Sequence, residues 1–356
     1  MSLSRRPQHD VLEILKGLVE TGSVSGREER IAARIGDALS ASGFDVRYQA
    51  VEGRRSNIFA RKGEPSLLFF GHMDTVPPVD SWAKNPLRLT VEGDRAYGLG
   101  AWDMKGGLAA ILHAAQGAKD MAVLVTVDEE EISKGGWKAI GDKGFFKGIN
   151  GIISAEAGNE PGTYGGARHI SYGRQGRKAF HLVKELGAGH AATAGQDWVD
   201  WLHSCMHSMP KTASRIVVRR FCASSRGLSV PDKAEMDVDV LIHPSEKGTD
   251  FQGLLSTHFG APAGLKKRQT PYLEPYSFEN HPFISRVAGI VQESLGEPSL
   301  HIGSSVGDEN ALALLGIPIA IIGPEGRNEH RADEWVSVKS LREVAGLYSK
   351  LLERLG

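Results

Sequence analysis

The sequence holds only two cysteines, Cys205 and Cys222, among 356 residues. Two thiols cannot build a disulfide framework or a four-thiolate metal site, and they fit a reducing compartment. An excess of charge is missing as well. Lys and Arg number 42 against 43 Asp and Glu, a formal net charge of −1. No bulk field therefore draws the chain to nucleic acid or to anionic lipid. No apolar run approaches a bilayer span, and Met1-Ser2-Leu3-Ser4-Arg5-Arg6 has no apolar signal core. Internal repeats and low-complexity segments are absent too. The expectation is a cytoplasmic enzyme, with no nucleic-acid or membrane partner.

What the chain does have is ordinary globular composition, 41% hydrophobic and 24% charged. Its length exceeds what one core usually serves, so two domains are expected. Val11, Leu12, Leu15, Leu18 and Val19 recur at helical spacing. Ser25 with Glu28 reads as a capping box for a second helix with Ile31, Ile35 and Leu39 inside. Strand-like runs follow at 46–51, 58–61 and 67–70, and a small-residue helix at 106–117. Strands and helices alternate up to about residue 175, which predicts an α/β domain with a mostly parallel, helix-covered sheet. The texture then changes. Runs at 178–186, 197–209, 215–222, 235–242, 251–258 and 265–272 read strand, helix, strand, strand, helix, strand, the ferredoxin-like α+β order. Helical patterning resumes near Ser277 and closes the chain. The predicted arrangement is one domain of residues 1–176 and 277–356, interrupted by an inserted domain of 177–276.

Five candidate metal ligands, His72, Asp103, Glu130, Glu156 and His330, close or follow apolar, strand-like runs. Ligand sites in open α/β sheets gather outside the carboxyl ends of strands. Two imidazoles and three carboxylates suit zinc, and one bridging carboxylate would let the set hold two ions. In Gly71-His72-Met73-Asp74, the Asp74 carboxylate is placed to orient His72 through its second ring nitrogen. Asp103 lies among glycines in Gly98-Leu99-Gly100-Ala101-Trp102-Asp103-Met104-Lys105-Gly106-Gly107. It can cap the helix that follows, bind a metal, or do both. Asp128-Glu129-Glu130-Glu131 crowds carboxylates at the mouth of an apolar strand, which is costly without a cation. Glu129 and Glu130 point different ways, so one can bind metal while the other serves as general base.

With these motifs in view, the chain resembles the co-catalytic zinc amidohydrolases, the family of acetylornithine deacetylase, succinyl-diaminopimelate desuccinylase, glutamate carboxypeptidase, aminoacylase and peptidase T. Gly71-His72-Met73-Asp74-Thr75-Val76, Gly100 to Gly107, Asp128-Glu129-Glu130 with Gly135, and Gly323-Pro324 with His330, Asp333 and Glu334 carry the resemblance, which runs from Ser25 to Leu355. It implies a zinc-peptidase fold with an inserted lid, and two zinc ions, replaceable by cobalt or manganese. Asp103 would bridge them, with His72 and Glu156 on one and Glu130 and His330 on the other. Glu129 would be the general acid/base and Asp74 the orienter of His72. Arg174, in Tyr172-Gly173-Arg174-Gln175-Gly176, would hold a substrate carboxylate. His190, in Gly189-His190-Ala191-Ala192, would polarise the scissile carbonyl across a homodimer formed by the lid. The chain departs from the family at Asp239-Val240-Leu241, where an arginine usually stands in place of Leu241, and near Pro231-Asp232. The implied reaction is hydrolysis of an N-acyl amino acid of the acetylornithine or acetyl-lysine type. A dipeptidase or carboxypeptidase is the alternative, and a metal-binding interaction protein with a dead site a more distant one.

Overall fold

Four strands of the large sheet are buried throughout and apolar up to their last residue: Leu67–His72, Met121–Thr126, Gly151–Ser154 and Ile319–Ile321. Such runs have no polar face to turn to water, so both sides of the sheet must be covered. The structure, a computed structural model, describes residues 9–156, 165–193, 197–260, 264–268 and 273–356. It falls into two compact units, one of residues 1–173 and 277–356, the other Arg174–Tyr276.

In the larger unit a nine-stranded sheet has the order Asp45–Glu52, Arg55–Lys62, Met121–Thr126, Leu67–His72, Gly151–Ser154, Ile319–Ile321, His169–Arg174 and Tyr276–Ser277, with Ser299–Gly303 pairing beside His169–Arg174. The four central strands are mutually parallel. Arg55–Lys62 joins them antiparallel on one side and His169–Arg174 on the other. The sheet is thus parallel at its centre and mixed at its margins, because the first two strands form a hairpin that cannot run parallel. Helices Val11–Val19, Glu29–Ala41, Lys105–Ala115 and Val338–Leu355 bury apolar stripes in one core with Phe69, Val123 and Ile153. A small antiparallel sheet of Thr90–Glu92, Arg95–Tyr97, Trp335–Ser337 and Gly326–Arg327 completes the unit.

The smaller unit has strand Gly176–Glu185, helix Asp197–His207, strands Arg215–Ala223 and Lys233–Ile242, helix Phe251–His258 and strand Leu265–Lys267. Sheet order is Arg215–Ala223, Lys233–Ile242, Gly176–Glu185, Leu265–Lys267, all antiparallel. Phe180, Leu182, Met236, Val238 and Val240 alternate onto one face and pack with Phe251, Leu255 and Phe259. The last strand was expected to reach residue 272, and residues 269–272 lie outside the described ones.

Two local expectations fail. Ser25 and Glu28 form no capping box, and the helix starting at Glu29 has no side-chain cap. Ser25 instead donates to Asp74 at 2.7 Å, and Glu28 is held by Arg55. Asp103 does not cap its helix either. Met104 occupies that position, without a side-chain hydrogen bond.

Candidate metal centre and active site

Three of the five proposed ligands sit where a parallel sheet delivers them. His72 is the last residue of its strand, Glu130 follows Met121–Thr126, and Glu156 follows Gly151–Ser154. The other two do not lie at strand ends of this sheet, contrary to expectation. Asp103 occupies the loop before helix Lys105–Ala115, and His330 the loop between Gly326–Arg327 and Trp335–Ser337. Glycine permits the close approach that brings the Asp103 helix to Glu156. A Cβ at Gly107 would meet the Ala155 carbonyl oxygen at 2.1 Å.

The structure brings all five together. Asp103 turns Oδ1 to His72 Nε2 at 3.2 Å and Oδ2 to His330 Nε2 at 3.4 Å. His72 Nε2 also lies 3.5 Å from Glu156 Oε2, and His330 Nε2 lies 2.8 Å from Glu130 Oε2. One donor atom each from His72, Asp103 and Glu130 falls within 4.8 Å of the others. The pattern is two half-sites sharing a carboxylate, each with one imidazole and one further carboxylate. His72 is buried and His330 half-exposed, so the pair is reached from the His330 side.

Electrostatics test whether a cation belongs here. Burial opposes a charge on His72, but Asp103, Asp74 and Glu156 raise its pKa well above the usual imidazole value. Asp103 and Glu130 push His330 up to about 11. Burial would raise Asp103, yet His330 and His72 hold it below the usual carboxylate range. The surrounding carboxylates thus draw both imidazoles toward the charged form, a sign that positive charge is required here. A carboxylate cluster this closed demands such charge, and divalent ions with nitrogen and oxygen preferences supply it. The donor set fits two of them.

A second layer fixes the ligands. His72 Nδ1 lies 3.1 Å from the Asp74 carbonyl oxygen and 3.5 Å from its Oδ1. A carbonyl can only accept, so Nδ1 carries a proton and Nε2 faces the site. The main acceptor for His72 is thus the Asp74 backbone, where its carboxylate was expected. That carboxylate grips the acidic turn instead. Oδ1 accepts the Glu129 amide and Oδ2 the Glu130 amide, each at 3.2 Å. Ser154 Oγ accepts the Glu156 amide at 3.3 Å and donates to Glu309 Oε1 at 2.5 Å. Glu334 accepts the amides of Gly100, Trp102 and Asp103.

Glu129 differs from its neighbour. It makes no ion pair among the described residues, whereas Glu130 meets His330. Burial raises the Glu129 pKa well above its usual value, and Glu156, Asp308 and Glu130 add to this against the charge of His72. Asp308, fully buried and pushed up to about 7 by burial, is a further carboxyl of this layer. Sequence reasoning passed over it because Gly307-Asp308-Glu309 has no strand or glycine cluster to flag it. Glu309 was passed over for the same reason, and Arg55 because its carboxylate partners are distant in sequence.

Arg174 closes its strand and is buried. His190 is exposed in the smaller unit, bridged to Ser229, with its Nδ1 accepting the Ala192 amide at 3.2 Å. The site geometry above involves neither.

Residues 68–354 match Peptidase family M20/M25/M40. The chain belongs to this family. It is accordingly a metal-dependent hydrolase of amide bonds. The chain is 27% identical to succinyl-diaminopimelate desuccinylase of Xanthomonas euvesicatoria pv. vesicatoria, over 97% of this chain and 99% of that one. Its fold is similar to that of aminopeptidase PepT from Bacillus cereus, with a TM-score of 0.79 at 17% identity over 98% of each chain. It is similar too to the YXEP protein of Bacillus subtilis, described as a dinuclear metal binding peptidase, with a TM-score of 0.66, 17% identity and coverage of 97% and 98%. At such identities the structural likeness concerns the fold. No helix among the described residues is long and apolar enough to cross a membrane.

Proposed function

We propose that this chain hydrolyses the amide bond of N-acyl amino acids that carry a free carboxylate, using two divalent ions, zinc by preference. The observation that carries the reading is the split carboxylate of Asp103, one oxygen toward each histidine. His72 and Glu156 would hold one ion and Glu130 and His330 the other, with Asp103 between. Bound there, the ions supply Lewis acidity toward the scissile carbonyl and toward an attacking water.

The remaining steps fall to side chains. Glu129 takes a proton from the water as its oxygen adds to the carbonyl carbon. It then gives that proton to the nitrogen as the C–N bond breaks, so the products are an amine and a carboxylic acid, which releases its own proton to become a carboxylate. Its raised pKa suits a group that must hold a proton between these steps. Asp74 keeps Glu129 and Glu130 in register through their amides. Arg174 is assigned to the substrate carboxylate and His190 to the developing oxyanion, both from the family resemblance. Strand Arg215–Ala223 is a sheet edge in the smaller unit. Pairing that edge with a second copy would protect it, which supports a homodimer whose His190 serves the neighbouring chain.

N-acyl amino acids are preferred over dipeptides because sequence relatives matched over nearly their whole length include succinyl-diaminopimelate desuccinylases. The test is a hydrolysis screen of zinc-loaded enzyme with N-acetyl and N-succinyl amino acids and with dipeptides, read as release of free amine. Faster cleavage of dipeptides would replace this reading by a dipeptidase. Cleavage of none would defeat it.

A further inference from the structure

Arg55 opens the second strand of the sheet and is almost fully buried, which is unusual for a residue in a Glu-Gly-Arg-Arg hairpin. Its guanidinium forks onto Glu28, with Nε to Oε2 at 2.9 Å and Nη2 to Oε1 at 2.6 Å. The same Nη2 donates to Asp128 Oδ1 at 2.6 Å. Glu28 and Asp128 are both buried. One cation thus lies between two carboxylates that would otherwise repel each other out of water's reach. Glu52, more than half exposed, adds a looser contact at 3.3 Å.

Asp128 is the residue before Glu129. It sits in the left-handed region, with φ of 68°, which Asp adopts more readily than most residues because its short side chain can hydrogen-bond nearby. Its other oxygen accepts the Lys134 amide at 3.3 Å, and its carbonyl accepts the Ser133 amide at 2.8 Å. The acidic turn therefore has two handles. Asp74 holds the Glu129 and Glu130 amides on one side, and Arg55 holds the Asp128 side chain on the other.

We infer that Arg55 is a positioning residue: through Asp128 it sets the backbone direction from which Glu129 and Glu130 enter the metal centre. It touches neither donor atom itself. The inference rests on the reading of Glu130 as ligand and Glu129 as proton carrier. Lysine keeps the charge at position 55 but has no planar fork, so it cannot serve Glu28 and Asp128 in one geometry.

The experiment uses the full chain, stripped of metal and titrated with cobalt while its visible absorption is followed. Wild type should take up two equivalents. Arg55→Lys should bind the first as wild type does and the second at least tenfold more weakly, with kcat reduced at least tenfold and KM little changed. Asp128→Asn should reproduce both effects, since it weakens the same contact from the other end. It also stands in if Arg55→Lys does not fold. Glu52→Gln, at the exposed margin, should behave as wild type. Two wild-type binding steps and an unchanged kcat in both variants would overturn the inference while leaving the metal centre standing. Equal weakening of both steps with a lowered melting temperature would also overturn it, by showing a merely structural role. Absence of cobalt binding in wild type would instead strike the metal-centre reading itself.

Discussion

Glu334 holds Asp103 by the backbone. Its Oε1 accepts the Asp103 amide at 3.0 Å and the Trp102 amide at 2.8 Å, while Oε2 accepts the Gly100 amide at 2.8 Å. The bridging carboxylate is therefore aimed by a second carboxylate some 231 residues further along the chain. Burial pushes Glu334 up to about 8 despite those donors, with the charge of Asp103 adding to the rise.

Removing that acceptor should be costly. Glu334→Leu leaves three buried amides unmatched, at about 1–3 kcal/mol for each unsatisfied group. We expect a clear fall in melting temperature and in metal stoichiometry. Glu334→Gln, which keeps one acceptor oxygen, should lose less of both. A leucine variant that melts like wild type and still binds two ions would refute the role.

Glu129 and its neighbour should separate cleanly. Glu129→Gln should retain both ions while turnover falls by roughly 10²–10⁴-fold, the usual worth of a general base. Glu130→Gln should instead weaken one ion. Metal analysis after mild dialysis, paired with steady-state rates, distinguishes the two. The reverse result would mean that their roles are exchanged.

Metal uptake should release protons. Without metal, the carboxylates of Asp103 and Glu130 push His330 up to about 11. His72, buried but surrounded by Asp103, Asp74 and Glu156, is raised as well. Both imidazoles then hold a proton at neutral pH, and a dication must displace it. Apparent affinity should rise with pH, and fall as pH falls, by about tenfold per unit for each proton displaced. Calorimetry in buffers of different ionisation heat counts those protons. A count of zero near pH 7 would contradict the charge state described for the two histidines.

The assignment of His190 predicts complementation. Inactive His190→Ala mixed with inactive Glu129→Gln should regain a fraction of wild-type activity once subunits exchange, because a mixed dimer contains one intact site. A mixture that stays inactive, or a monomer by light scattering, would remove His190 from the neighbour's site.

Much of this centre was legible before the fold was known. His72, Glu130 and Glu156 follow buried strands, and glycines flank Asp103, so local pattern and chemistry coincide. The errors arose where a side chain is used at long range. Ser25 and Glu28 have capping-box spacing, but their partners are Asp74 and Arg55. Arg55 drew no reading at all, because its carboxylates lie 27 residues before and 73 residues after it. Burial of that kind is a property of the assembled sheet and leaves no periodicity behind. His330 was expected to follow the apolar run ending at Ile322, but it lies further on, in the loop between Gly326–Arg327 and Trp335–Ser337.

The small sheet sets the order in which the site can exist. Trp335–Ser337 pairs with Arg95–Tyr97, and the His330 loop hangs between that strand and Gly326–Arg327. Glu334, which aims Asp103, belongs to the same late segment. During synthesis the chain thus carries His72, Asp103, Glu130 and Glu156 long before it carries His330 or the carboxylate that orients the bridge. A stop codon just before His330 would leave His72, Asp103, Glu130 and Glu156 without the second imidazole and without the carboxylate that aims the bridge.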